Sequence, residues 1–378
     1  MRIAIATDWF APRRGGIEAQ LLQLAAGLAG RGHDVDVLTS TPGASDGQGF
    51  SVRRVGRTTI PGTQLALSPA IVGALRRELD RGYDVVHAHV SVVSPVGYAA
   101  AGVARSMGLP TVVTFHSVLR LKRHLLRATD AVANLSNSAI VWTGVSELVA
   151  SQVRAALRGA QVSVLPNGID FGFWSAARRQ GTPRNGQPVT LVSAMRLHRK
   201  KRPRQLLSAF AAASSAFRVP ALLRIVGDGP ERAAMARDVR SLGLEHGQAR
   251  VEMLGWLPPE ALRSAYADGD GFVLASKRES FGIAVLEAAV AGLPVIAMAE
   301  SGSHEFLAPE ARHLLCRDDE DLALTLSRFI SDPDLRSRDR GDSARLQRYD
   351  WSSVLSAHEA TYDRAIKRAA GAASTAVP

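Results

Sequence analysis

One pattern occurs twice along this 378-residue chain: short apolar runs alternate with helically spaced segments, and this constrains the fold more than any other feature. In the first half, Arg2 to Thr7, Asp34 to Thr39, Asp84 to His89, Thr111 to Phe115, Ile140 to Val145 and Gln161 to Leu165 read as strands. Where such runs are apolar without alternation, they suit strands buried on both faces, as in parallel sheets. Helical spacing fills Ile17 to Gly30, Ser68 to Arg81 and Ser146 to Leu157. A turn at Pro166-Asn167-Gly168 precedes a second series. Its strands are Val189 to Ala194, Ala221 to Val226, Arg250 to Leu254, Gly271 to Leu274 and Pro294 to Met298. Its helices are Pro203 to Phe217, Pro230 to Leu242, Pro258 to Ala267 and Phe281 to Ala291, with Pro230 and Pro258 placed where the first-turn N–H is not needed.

The expected fold class is therefore α/β, with two Rossmann-like parallel-sheet domains facing a cleft. The domains predicted are residues 1–168, joined by a helix over 352–368 that crosses back, and 169–351, with 369–378 as a flexible tail. Ligands of such sheets bind beyond the carboxyl ends of the strands. A chain of this length is too long for one ordinary core. Gly282 to Met298, the longest weakly charged stretch, is interrupted by Glu287, Gly292 and Pro294 and is too short to span a bilayer. The N-terminus shows no signal-peptide core, and the lone Cys316 has no internal disulfide partner, so a cytoplasmic protein is expected. The net charge of +11 is scattered rather than arrayed with aromatic residues, which favours phosphate-bearing ligands over a nucleic-acid partner.

The segment richest in chemistry runs from Lys277 to Glu287. It sets Glu279 in a loop and Glu287 in the second turn of the following helix. The N–H groups of Phe281, Gly282 and Ile283 would open that helix, where the dipole favours an anion. A carboxylate at Glu287, leaning back toward the helix start, can accept two hydrogen bonds from a ribose diol. The plainer alternative is an acidic residue paired with a basic neighbour.

This segment resembles the E-x7-E motif of retaining glycosyltransferases of the GT-B fold, specifically glycosyltransferase family four and its phosphatidylinositol mannosyltransferase-like members from actinobacteria. Further resemblances cover nearly the whole chain: Gly15-Gly16-Ile17-Glu18, Asp84 to His89, Val113 to His116, Pro166 to Asp170, Arg196 to Lys201 and Ile225 to Pro230. The resemblance implies that Arg196 and Lys201 bind the donor diphosphate, with Lys200 as the second candidate for the lysine. The family usually places glycine after that lysine, and Arg202 stands here. Gly16, Gly227, Phe281, Gly282, Ile283 and Glu287 complete the implied donor site. Glu279 would hold sugar hydroxyls, and His116 would contact the transferred sugar near the reacting carbon, although by its residues alone His116 is as readily a core histidine. Asp8 and His89 are acceptor-side candidates at strand ends.

The implied activity moves a hexosyl group from a nucleotide-diphosphate sugar to a hydroxyl of a lipid, cyclitol or glycan. It proceeds by same-face substitution with retention, without a metal or other cofactor. A nucleotide-sugar epimerase of similar architecture is the alternative, and a non-catalytic sugar-nucleotide-binding protein is a third reading. Asp268-Gly269-Asp270 and His87-Ala88-His89 look like metal motifs but read as a turn and an incomplete pair. A basic cluster of Arg120, Lys122, Arg123, His124 and Arg127 among leucines could contact an anionic membrane surface or form the solvated face of a packed helix.

Overall fold

The computed structural model describes residues 1–13, 15–43, 49–56, 70–119, 124, 126–128, 130, 135–136, 138–177, 186–307, 309–338 and 344–375. The chain divides into two units, Met1–Gly168 with Trp351–Pro378, and Ile169–Asp350. Of the basic cluster proposed to meet a membrane, Arg120, Lys122 and Arg123 lie outside the described residues.

The first unit is a seven-stranded parallel sheet of β1 (Arg2–Thr7), β2 (Asp34–Thr39), β3 (Ser51–Arg54), β4 (Val85–Val90), β5 (Thr111–Phe115), β6 (Val141–Gly144) and β7 (Val162–Val164). Its helices are α1 (Gly16–Gly30), α2 (Ala70–Leu79), α3 (Pro95–Ser106) and α4 (Glu147–Ala156). The strand order β3-β2-β1-β4-β5-β6-β7 reverses direction between β1 and β4, which makes that pair of strand ends the topological switch point. Every residue of β4 is buried, histidines included, because helices cover both faces of the sheet.

The second unit is a six-stranded parallel sheet. It comprises β8 (Val189–Ala194), β9 (Ala221–Val226), β10 (Ala249–Gly255), β11 (Gly271–Leu274), β12 (Val295–Met298) and β13 (Leu315–Cys316), in the order β10-β9-β8-β11-β12-β13. The helices are α5 (Phe171–Ser175), α6 (Pro203–Ser214), α7 (Arg232–Ser241), α8 (Pro259–Ala267), α9 (Ile283–Val290), α10 (Asp319–Ser331) and α11 (Pro333–Arg338). Here the switch point falls between β8 and β11. Two proline-led helices start later than the sequence suggests. Pro230 stays in the turn before α7, and Pro258 is the N-cap of α8, leaving Pro259 at the first helical position.

The helix at the C-terminus, Trp351–Thr375, belongs to the first unit, where it packs on β4, β5, β6 and α1. Leu355, His358, Tyr362 and Ala365 recur at helical spacing and are buried. Arg31 donates to Glu359 at 2.7 Å and to the Ser352 carbonyl, at the helix start, at 2.7 Å. The helix runs past Arg368, where a tail was expected. Ala369, Ala370, Ala372 and Ala373 are strong helix formers, and they carry the helix through Gly371. Among the described residues, no helix is long and apolar enough to cross a membrane.

Candidate functional site

In the second unit the candidate residues gather beyond the switch point. The loop after β8 carries Arg196, exposed, into a 3-10 turn at Arg199–Lys201 that is capped by His198, whose Nδ1 accepts from the Lys200 N–H at 3.2 Å. The loop after β11 carries Glu279. These loops meet where Lys201 Nζ donates to Glu279 Oε2 at 2.5 Å. Lys200 is exposed, so it is Lys201 that faces the carboxylate. The Glu279 carbonyl accepts from the Gly302 N–H at 2.8 Å, which pins this loop against the one after β12.

Position 202 takes a backbone conformation that suits glycine. Arg202 has φ 57°, in the left-handed region where a side chain crowds its own backbone. Arginine occupies it by anchoring its guanidinium, which donates to both Asp319 carboxylate oxygens at 2.7 and 2.5 Å and to the Ala275 carbonyl at 3.3 Å. Arg202 thus serves as N-cap to α6, with its side chain on Asp319 rather than on Glu279.

The neighbouring strand end brings Gly227 against the Arg196 loop. Met195 N–H donates to the Val226 carbonyl at 3.0 Å, and Leu197 N–H to the Asp228 carbonyl at 2.9 Å. With φ 129°, Gly227 lies so close that an added Cβ would fall 1.9 Å from the Met195 carbonyl oxygen. No other residue fits without separating the two loops. Gly282 has φ 91° and is the N-cap of α9, so the helix starts at Ile283, two residues later than expected. The Phe281 side chain is buried away in an edge-to-face cluster, 4.8 Å from the Phe306 ring and 5.8 Å from Tyr349. Only its backbone remains at the helix start.

Glu287 stands in the second turn of α9, near the buried Tyr266, whose phenol its charge helps to push well above the usual range after burial itself. The Glu287 residue keeps partial surface exposure, yet burial around its carboxyl raises the pKa to about 8. This carboxyl resists ionisation until a hydrogen-bond donor arrives.

Of the DxD-like pair, Asp268 is the C-cap of α8 and Asp270 does structural work. Asp270 brackets the start of β8 by accepting from the Thr190 N–H at 2.9 Å and donating its own N–H to the Thr190 carbonyl at 2.7 Å. Among the described residues, no group of three or more His, Cys, Asp or Glu side chains is placed to hold a metal ion.

The first unit holds Gly16, Asp8, His89 and His116. Gly16 is the first residue of α1. Asp8, fully buried beyond β1, accepts from the Val96 and Gly97 N–H groups at 3.0 and 3.3 Å, so its carboxylate caps α3 across the switch point. Desolvation lifts its pKa to about 6 despite those hydrogen bonds. His89 and His116 lie beyond β4 and β5, with His89 Nδ1 2.9 Å from His116 Nε2. Burial drives both below the ordinary imidazole range, His116 to about 3 with a further push from His358, and His89 well below 6.5. Gln20, His89, Thr114, His116, Asn167 and His358 contribute to the lining of one pocket in this unit.

His87 takes no part in that pocket. Thr143 Oγ1 donates to the Val113 carbonyl, so it accepts from Thr114, 2.6 Å away. Thr114 in turn accepts from His87 Nε2–H at 2.7 Å, and His87 Nδ1 accepts from the Tyr362 hydroxyl at 3.0 Å. Because a carbonyl ends the chain, every proton in it is fixed. His358 and Tyr362, the partners supplied by the C-terminal helix, are not marked as such by the sequence. Their only signal is helical spacing with Leu355 and Ala365, which shows a buried face but not what it meets.

Residues 175–345 match the family model described as glycosyl transferases group 1, and residues 14–173 match that of glycosyltransferase family 4. Together the two models span both units. The chain thus carries a glycosyltransferase family 4 domain followed by a glycosyl transferases group 1 domain.

The transferase is 29% identical over 387 residues to a phosphatidylinositol N-acetylglucosaminyltransferase component of Arabidopsis thaliana, covering 97% of this chain and 83% of that one. It is 27% identical to the D-inositol 3-phosphate glycosyltransferase of Actinosynnema mirum, over 93% of this chain and 92% of the relative. Among solved structures, Anabaena HepE in complex with UDP and glucose superposes with a TM-score of 0.71 at 20% identity, covering 96% and 99% of the two chains. Sucrose-phosphate synthase from Thermosynechococcus elongatus gives 0.70 at 23%, covering 96% and 98%. The fold is GT-B, with two Rossmann-like parallel sheets.

Proposed function

We propose that this glycosyltransferase moves a hexosyl group from a nucleoside-diphosphate sugar to an acceptor hydroxyl with retention of configuration, without needing a metal ion. The observation that carries the reading is the Lys201–Glu279 pair at 2.5 Å, beyond the switch point of the second sheet and next to the Gly282 start of α9. A cation, a carboxylate and the N–H-rich end of a helix stand together there, and a diphosphate bearing a sugar offers the complementary groups. In this reading Arg196 and Lys201 bind the diphosphate, helped by the Phe281, Gly282 and Ile283 backbone and by the close loop approach that Gly227 permits. Gly16 is the first unit's contribution to donor binding. Glu279 is released to hold sugar hydroxyls, and Glu287 accepts the ribose diol.

Bond cleavage adds about one negative charge to the departing phosphate, and preorganised cations stabilise that charge as it develops. Two cations and a helix end can do so without a divalent ion. The departing phosphate then takes the acceptor's proton on the same face, while His116 contacts the sugar near its reacting carbon. Asp8 is assigned to the acceptor side only indirectly, as the cap that fixes α3. The donor class is supported by Anabaena HepE, whose structure was solved in complex with UDP and glucose. The names of the curated relatives point to inositol phosphates and phosphatidylinositol as the acceptors to try. No observation favours the epimerase alternative.

The test incubates the protein with uridine, guanosine and adenosine diphosphate sugars, with and without D-inositol 3-phosphate or phosphatidylinositol vesicles, and reads the product's anomeric configuration by NMR. Acceptor-dependent transfer from an α-donor to an α-product is expected. A β-product would overturn retention, and an epimer formed without acceptor would overturn transfer.

A further inference from the structure

Among the described residues, the second unit has two buried side-chain polar atoms without a hydrogen-bond partner, and both are serine hydroxyls: Ser276 Oγ and Ser303 Oγ. They sit in the loops after β11 and β12, the same loops that carry Glu279 and Gly302. Neighbouring buried hydroxyls are spent on carbonyls. Ser193 Oγ donates to Val273 at 2.6 Å, and Ser301 Oγ, two residues before Ser303, donates to Met298 at 2.7 Å. Polar groups shut away from water are nearly always paired, and stranding one is costly. An idle hydroxyl beside a binding loop therefore points to a partner that is engaged elsewhere.

Ser303 has such a neighbour. A Cβ added at Gly282 would fall 2.6 Å from Ser303 Oγ and 3.1 Å from Glu279 Cγ, so the hydroxyl and the Glu279 side chain flank one spot. Ser303 is fully buried, at 0% exposure, so a ligand arriving from solution does not reach its hydroxyl. The Glu279 carboxylate, carried on that same Cγ, needs only rotation about its own bonds to do so. The backbones can stay where they are, since the Gly302 N–H already holds the Glu279 carbonyl at 2.8 Å. In the structure the carboxylate takes the Lys201 ammonium instead.

We propose that Ser303 is the alternative partner of Glu279, donating its hydroxyl to the carboxylate when a diphosphate draws Lys201 away. A diphosphate on Lys201 takes up the cation that neutralises Glu279, and a residue only 9% exposed has little water to turn to. Ser303 supplies the missing donor from the protein side. One carboxylate oxygen is then held, which fixes the rotamer and leaves the other oxygen for a sugar hydroxyl. Ser303 is thus a positioning residue that acts on the sugar only through Glu279. That a diphosphate is what draws Lys201 away rests on the transfer reading; the exchange of partners does not.

Unfolding of the full chain in denaturant tests the exchange without any ligand. Ser303→Ala removes an idle hydroxyl from the wild type and should leave the midpoint unchanged or higher. In Lys201→Met, Glu279 has lost its cation and turns to Ser303. Adding Ser303→Ala there should raise the unfolding constant about tenfold, the scale of a hydrogen bond to a charged group. A lower midpoint from Ser303→Ala alone, or no added loss in Lys201→Met, overturns the proposal.

Calorimetry with UDP, GDP and ADP tests the part played by the diphosphate. The nucleotide that binds the wild type should bind Ser303→Ala about tenfold more weakly. The difference should vanish in a Glu279→Ala background, where no carboxylate needs a donor. An equal loss in both backgrounds, or no loss in the wild type, overturns the proposal. Should none of the three nucleotides bind while the unfolding pattern holds, the transfer reading fails and the Glu279–Ser303 exchange stands.

Discussion

Acidification from pH 7.5 to 5.5 is expected to loosen the first unit before the second. His87, His89, His116 and His358 are buried and neutral, with pKa values pushed below 6.5, the last two to about 3 and 4. A base whose folded pKa is depressed binds protons more readily when unfolded, so stability is lost as pH falls below the unfolded value. At pH 5.5, one unit below 6.5, His116 and His358 each cost roughly 1 kcal/mol, and His87 and His89 act in the same direction. Asp8 works in the other direction. Its carboxyl, raised to about 6, favours the folded state as it takes up its proton, returning roughly 1 kcal/mol. The histidine loss outweighs that return, and a net cost of even roughly 1–2 kcal/mol is a large fraction of an ordinary domain's stability. In the second unit, Glu287 with its raised pKa gains from acid rather than losing. Hydrogen exchange read by mass spectrometry, corrected for the intrinsic pH dependence, should show protection falling in β4, β5 and the C-terminal helix while β8 and β11 hold. Equal protection of the two units at pH 5.5 would refute the reasoning.

Three further outcomes follow from single sites. If ribose binding needs ionised Glu287, affinity for a nucleoside diphosphate should rise up to roughly fiftyfold between pH 6 and 8, given a carboxyl near 8. Calorimetry on Glu287→Gln should show only the shallower profile of the nucleotide's own phosphate. Gly227→Ala places a methyl 1.9 Å from the Met195 carbonyl oxygen and should cost on the order of 3 kcal/mol in denaturant unfolding, with donor affinity falling too. Arg202→Gly relieves about 1–2 kcal/mol of left-handed strain and forfeits a half-exposed pair with Asp319 worth about 0.2–1 kcal/mol. Its melting temperature should therefore stay the same or rise.

The sequence exposed the strands well because parallel strands buried on both faces are continuous apolar runs, as in Val189–Ala194 and Ala221–Val226. Edge elements were harder to see. Ser51–Arg54 is short and polar, and Leu315–Cys316 is two residues long, so neither carries a period. At the site, the Glu279 and Glu287 spacing was readable because loop and helix are consecutive. The choice of Lys201 over Lys200 was not. It depends on a turn that passes through left-handed Arg202, whose side chain is held by Asp319, 117 residues away. The histidine pair was equally hidden. Alternation places His87 and His89 on one side of β4, but only the packing of Tyr362 separates a saturated ring from an unsatisfied one.

Titration calorimetry of UDP, GDP and ADP into the wild type and into Lys201→Met probes the diphosphate grip with no acceptor needed. One of the three nucleotides should bind the wild type, and the variant should bind it roughly ten- to hundredfold more weakly, as expected for one charge-assisted contact to phosphate of about 1.5–3 kcal/mol. Equal affinity in the two proteins, or no binding of any nucleoside diphosphate to the wild type, would contradict the account.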